Sequence, residues 1–222
     1  MTTPLPALSL LETRVLGVLV EKQHTVADTY PLTLNALIAG CNQKTSREPV
    51  LSATDAEVQA TVDRLKSLSL IVESSGGRVM RYAHNAERVL GLPSQAVALL
   101  ATLMLRGPQT LGELRINSDR LHRFADISAV DAFLQELAAR PSGAMVAELP
   151  RSPGSRENRW MHLLSGARPP ESAPADGSAP LAGDVVTLTE IAALKANVRH
   201  LEEELEALKR TVAILRSELG ST

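Results

Sequence analysis

Apolar positions along this chain follow one rhythm, leave it, and then take it up again. Val58, Val62 and Leu65 are spaced by four and then three residues, and Val130, Leu134 and Leu137 repeat that spacing. Either set lines one face of a helix. Upstream, the block VLGVL (residues 15–19) has a counterpart in LLATL (residues 99–103). Between block and periodic helix stands the phrase Pro-x-Thr-Leu-x-x-Leu, as PLTLNAL from Pro31 and PQTLGEL from Pro108. Three matched segments in one order form an internal repeat, and two copies are too few for a solenoid array. The pattern therefore predicts two similar domains in tandem.

After the third helix of each copy the periodicity turns from helical to extended. LIVES and RVMRYAH flank SGG, which reads as a hairpin around Gly76 and Gly77, and AMVAEL and NRWMHLL flank the polar stretch PRSPGSRE. Helix starts carry Ser/Thr-x-x-Glu/Asp boxes at Ser9 and Glu12, Thr54 and Glu57, Thr110 and Glu113, Ser128 and Asp131, and Thr187 and Glu190. In such a box the hydroxyl accepts an orphaned N–H of the first turn, and the acid three residues on reaches back to the cap. Thr33 and Thr110 of the repeated phrase read as caps, with Pro31 and Pro108 holding the incoming chain out of helix.

Three helices and a hairpin make a winged-helix domain. The expected fold is mainly α with small β-hairpins: a first winged-helix domain over residues 1–90 and a second over 91–166. Residues 167–186, rich in Pro, Ala and Gly, read as a flexible linker. Beyond it Ile191, Leu194, Val198, Leu201, Leu205, Leu208, Val212, Leu215 and Leu219 keep strict three-four spacing. That heptad seam predicts a coiled-coil helix over 187–220, and its β-branched and Leu pattern predicts a parallel homodimer.

Composition narrows the chemistry. Apolar residues make up 44% of the chain but aromatics only 2%, which argues against stacking-based recognition of single strands. A single cysteine, Cys41, excludes a disulfide framework and cysteine-rich metal sites. No apolar run is long enough to span a bilayer, the start has no basic leader, and a cytoplasmic protein without membrane contact is expected. The five histidines, His24, His84, His122, His162 and His200, fall one per element with no ligand spacing. Cys41 sits in an apolar helix end, and no glycine loop suited to phosphates occurs. Neither catalytic residues, metal site nor cofactor is expected, and the chain reads as a non-enzyme.

Charge then separates two kinds of partner. Residues 1–90 carry 9 basic and 9 acidic side chains and residues 91–166 carry 8 and 7, whereas 167–222 carry 6 and 9. Third helices of winged-helix domains enter the major groove, yet here each is acidic by one charge: Asp55, Glu57 and Asp63 against Arg64 and Lys66, and Asp131 and Glu136 against Arg140. Positive charge lies instead on turns and wings, including Arg115, Arg120 and Arg123. Arginine-bearing wings favour double-stranded DNA and a transcription-regulatory role. Acidic third helices favour a protein-interaction adaptor that docks through its winged helices and coil. Binding of double-stranded DNA in a regulatory role is the expected function, and the protein-interaction adaptor is its alternative.

The segments EKQHTVADTYPLTLNALIAGCNQKTSREPV, LMLRGPQTLGELR and PGSRENRWMHLLSG resemble, in order and spacing, the YceH-like family of uncharacterised bacterial proteins. The resemblance covers essentially the whole chain and implies tandem winged-helix domains in a bacterial cytoplasm. It implies no reaction, ligand or target. CNQKTSREPV, between the second and third helices of the first copy, is longer and more polar than folding requires, as functional loops often are. The candidate surface for DNA or a partner is accordingly Gln43, Lys44 and Arg47 in that loop, Arg78 and Arg81 in the first wing, and Arg151, Arg156, Glu157 and Arg159 in the second.

Overall fold

A computed structural model describes residues 5–75, 79–151 and 157–166. The described residues are mainly helical, with two small antiparallel sheets among them. The first copy of the repeat contributes helix α1 (Leu10–Thr25), a 3-10 turn at Ala27–Thr29, strand β1 (Leu32–Thr33), helices α2 (Leu34–Cys41) and α3 (Asp55–Ser67), strands β2 (Ile71–Ser74) and β3 (Arg81–His84), and the short helix α4 (Ala86–Leu90). The second contributes α5 (Ser94–Arg106), α6 (Leu111–Asn117), α7 (Ile127–Ala138), β4 (Val146–Leu149) and β5 (Arg159–His162). The turn expected at Gly76 and Gly77 lies outside the described residues, as do the expected linker over 167–186 and the expected coiled-coil helix over 187–220.

Local chemistry sets most boundaries. Ser9 with Glu12, Thr54 with Glu57, and Thr110 with Glu113 each form a complete capping box at the start of α1, α3 and α6. Thr33 caps α2 alone, accepting the Ala36 N–H at 3.4 Å, because its third position is alanine rather than an acid. The expected box at Ser128 and Asp131 is not there. Asp126, in extended conformation, accepts the Ala129 N–H at 2.8 Å and starts α7 two residues earlier, leaving Ser128 inside the first turn. The box of Thr187 and Glu190 falls outside the described residues.

The repeat is visible in the sheets. β1, β3 and β2 lie in that order, with Leu32 opposite Tyr82 and Ile71 opposite His84. In the second copy β4 pairs β5, and the place of β1 is taken by one bridge between Gln109 and Trp160, closed by N–H···O contacts of 3.0 and 2.7 Å. Each copy of the repeated phrase thus docks on the last strand of its own hairpin.

Residue 90 separates the copies of the repeat, but the core crosses it. One cluster of buried apolar side chains joins both halves, from Leu8 to Leu164. Every residue of α1 from Glu12 to Val20 is buried. A helix covered on all sides belongs at the centre of a fold. α1 packs on α5, and Gly17 permits the approach: a methyl group there would stand 3.0 Å from Leu105 Cγ.

Candidate binding surface

The polar loop between α2 and α3 is pinned at several points, although Lys44 and other residues of it stay exposed. Asn42 pins it, its Nδ2 donating to the Ala53 carbonyl at 2.8 Å and its Oδ1 accepting the Ala53 N–H at 2.7 Å. The loop also reaches the second half, where the Glu48 N–H donates to the Leu105 carbonyl at 2.8 Å. Arg47 belongs to the interior, correcting its assignment to an exposed surface. Its residue is 5% exposed, Nε donates to the Gly40 carbonyl at 3.0 Å, and the guanidinium grips Glu21 with contacts of 3.0 and 2.6 Å. Burial pushes the Glu21 carboxyl up, and the hydrogen bonds and charge of Arg47, helped by Lys22, outweigh that and hold it below the ordinary range.

Arg14, which the sequence reading passed over, is fully buried on α1. It donates to the Cys41 carbonyl at 3.1 Å and the Pro49 carbonyl at 2.6 Å. Burial, with Arg47 nearby, lowers its affinity for its proton. The two arginines therefore satisfy the last carbonyls of α2, which a helix end leaves without partners. A signal for this existed: Arg14 immediately precedes the apolar block, and in the second copy its aligned position is the buried Ala98.

The hairpin arginines have structural duties too. Arg81 donates to the Pro31 carbonyl at 2.7 Å and the Thr29 carbonyl at 3.1 Å. Arg159 does the equivalent in the second half, donating to the Pro108 carbonyl at 2.9 Å and pairing with Glu113 at 3.1 Å. The proline of each repeated phrase is thus held by the arginine that opens its last strand. Arg151, exposed, donates to Asn158 at 3.1 Å and lines a cleft of about 290 Å³ with Glu157, Glu148 and Trp160. Gln43 is half-buried between Lys22 and Arg47 at 3.5 and 3.4 Å, and Lys44 beside it is exposed. The candidates therefore fall into separate places: the interhelical loop, the start of β3 in the first hairpin, and the second hairpin. Arg78, Arg156 and the heptad residues Ile191, Leu194, Val198, Leu201, Leu205, Leu208, Val212, Leu215 and Leu219 lie outside the described residues.

On α3 and just after α7, cations are held by neighbours. Arg64 pairs with Glu12 at 2.6 Å, Lys66 with Glu73, and Arg140 donates to the Leu90 carbonyl at 2.9 Å. Asp55, Glu57, Asp63 and Glu136 are exposed. Reactive groups are muted: Cys41 is buried and burial pushes its thiol up to about 12, leaving negligible thiolate at neutral pH. His84 is pushed down to about 4 by burial and by His24, and His162 to about 4 by burial. Among the described residues no group of three or more His, Cys, Asp or Glu side chains could hold a metal ion, and no helix is long and apolar enough to cross a membrane.

Residues 8–155 match the family described as "Protein of unknown function, DUF480". The chain is 61% identical over 204 residues to the UPF0502 protein of Dechloromonas aromatica (strain RCB), covering 92% of this chain and 93% of the relative. It is 60% identical over 219 residues to a UPF0502 protein of Methylibium petroleiphilum, covering 97% and 91%. Against a UPF0502 protein of Burkholderia pseudomallei (strain 668) it is 59% identical over 210 residues, covering 95% and 88%. Because the match takes in the helices of both copies and the identity extends over nearly the full length of these relatives, the chain belongs to this bacterial family, DUF480.

Proposed function

We propose that the protein is a non-enzymatic adaptor of two winged-helix units whose third helices dock a protein rather than duplex DNA. The element order of each half, three helices and a hairpin with the second helix anchored on the last strand, supports the winged-helix reading. One observation carries the choice of partner. The exposed side of α3 carries Asp55, Glu57 and Asp63, while Arg64 and Lys66 are engaged with Glu12 and Glu73. A helix so charged gains nothing from counterion release on a polyanion and complements a basic protein surface instead.

Cross-linking in cell extract followed by mass spectrometry tests this. The wild-type chain should capture a specific partner, and Asp55→Lys with Asp63→Lys should lose it; retention by the double variant ends the reading. Double-stranded DNA is the second reading, favoured by Lys44, Arg115, Arg120 and Arg123, which are exposed and belong to other segments than the third helices. They would touch phosphate and not base edges. Binding to random duplex over a salt series separates the two, because each phosphate contact adds about −0.9 to the logarithmic slope and an adaptor gives none.

The heptad residues from Ile191 to Leu219 support self-association in the cytoplasm as a parallel pair. Sedimentation equilibrium should give a dimer for the full chain and a monomer for a chain ending at Gly166. A full-length monomer at micromolar concentration contradicts it.

A further inference from the structure

Four helices end toward one another at the junction of the two halves. The last turns of α1, α5 and α6, together with the residues just after α2, surround a cavity of about 160 Å³. Lys22, Gln43 and Ser46 line it from the first half, and Arg106, Asn117 and Arg120 from the second. Glu21 is the single carboxylate among the lining residues, and Arg47 already grips both of its oxygens.

Cations at helix C-termini are often only the complement of the helix dipole, and magnitude decides whether that suffices here. A helix end is worth roughly half a charge, so four ends supply about two negative charges. Five cations stand around them: Arg14, Arg47, Lys22, Arg106 and Arg120. Even with Glu48, whose charge reaches Arg14, counted beside Glu21, about one positive charge remains in excess. Arg14 and Arg47 are occupied with α2 carbonyls and Lys22 lies 3.2 Å from Glu21. That leaves Arg106, which the charge of Glu21 reaches from a distance, and Arg120 as the cations least engaged. Arg106 is half-buried and donates at 2.7 Å to a neutral partner, Ser46 Oγ. Among the described residues neither Arg106 nor Arg120 forms an ion pair.

We propose that this cavity binds a small oxyanion, free phosphate or the phosphate group of a small monoester, between Arg106 and Arg120 with Lys22 as the third cation. Ser46, Gln43 and Asn117 supply neutral hydrogen-bonding groups around it. Size limits the ligand. A cavity of about 150 Å³ accepts a molecule the size of benzene, and pockets for drug-sized ligands begin near 300 Å³. Phosphate with a few further heavy atoms fits; a nucleotide does not. Because the cations come from both halves, the bound anion also ties the halves together and stabilises the fold by mass action.

Isothermal titration of the full chain with inorganic phosphate and, separately, with glycerol 3-phosphate tests the site. One saturable event per chain is expected. Arg120→Ala, at an exposed position with no ion pair to lose, should weaken it by about tenfold or more, the scale of one charge-assisted hydrogen bond. Arg88→Ala, equally exposed on α4 and outside the cavity, should leave it unchanged. Tighter binding of glycerol 3-phosphate identifies a monoester as the occupant, and tighter binding of phosphate identifies the free ion; both orders support the site. Absence of saturable heat with either probe, or an equal loss in Arg88→Ala and Arg120→Ala, overturns it.

Discussion

In the first half of the molecule the connection between second and third helices is pinned by arginines; in the second half the same connection is packed by rings. Arg14 and Arg47 close the end of α2 and hold the loop that follows, with Glu21 as counter-charge. The corresponding segment after α6 buries Phe124, which meets His122 edge-on at 4.7 Å and Phe133 at 5.9 Å. The first connection runs over residues 42–54 and the second over 118–126, so the first exposes more backbone that needs partners. Directional donors suit a long polar loop, whereas a short one can be held by area alone. The halves still share their frame: Arg81 and Arg159 hold the phrase prolines, and His84 and His162 end the last strands.

The sharpest way to break this contrast is Glu21→Gln. It leaves the buried Arg47 guanidinium without its counter-charge, and about 3–5 kcal/mol should be lost. Phe124→Leu in the second half keeps an apolar side chain but removes the ring contacts, and should cost less, about 1–2 kcal/mol. Urea midpoints at constant m-value report both. Equal losses would mean that the two connections are held by the same kind of force.

A pH titration probes what the halves have in common. His84 and His162 both sit at about 4 when folded, against an ordinary value of 6.5. As pH falls, the unfolded chain takes up protons first, so stability is fully present above about 6.5 and declines toward 4. Each histidine should account for about 2 kcal/mol between pH 7 and 4.5, and His84→Gln and His162→Gln should remove similar shares of the acid loss. Denaturant unfolding at the two pH values measures this, and a share confined to one histidine would show that the two hairpins differ.

The smallest effect concerns the caps. Thr110→Ala breaks a full box and should cost about 1 kcal/mol, while Thr33→Ala removes a lone contact and should cost about half as much. Thermal midpoints resolve the difference, and a larger loss at Thr33 would reverse the ranking of the two copies.

What was legible in the sequence was local or periodic. The repeated phrase, the paired strands after each third helix and the capping boxes at Ser9, Thr54 and Thr110 depend on neighbours within a few residues, and they stand where expected. Ser128 misled because Asp126, two residues earlier, competes for the same role and binds first. The candidate surface was less legible. Arg47 and Arg81 read as loop and wing charges, since arginines default to solvent, and their partners Glu21, Gly40 and Pro31 are distant in sequence. The cavity at Arg106 and Arg120 could not be read at all, because it exists only where the two copies meet.

A duplicated unit usually keeps its independence and can be gained, lost or exchanged singly. α1 removes that freedom here, because it is covered from Glu12 to Val20 and one of its covers, α5, belongs to the other copy. A chain cut at residue 90 would bare Gly17 and its apolar neighbours where Leu105 and Met104 had been. Such a fragment gains a sticky face instead of a domain boundary, and aggregation rather than a small folded protein is its natural end. For anyone dividing or fusing this protein, the unit of heredity and the unit of folding are different lengths of chain.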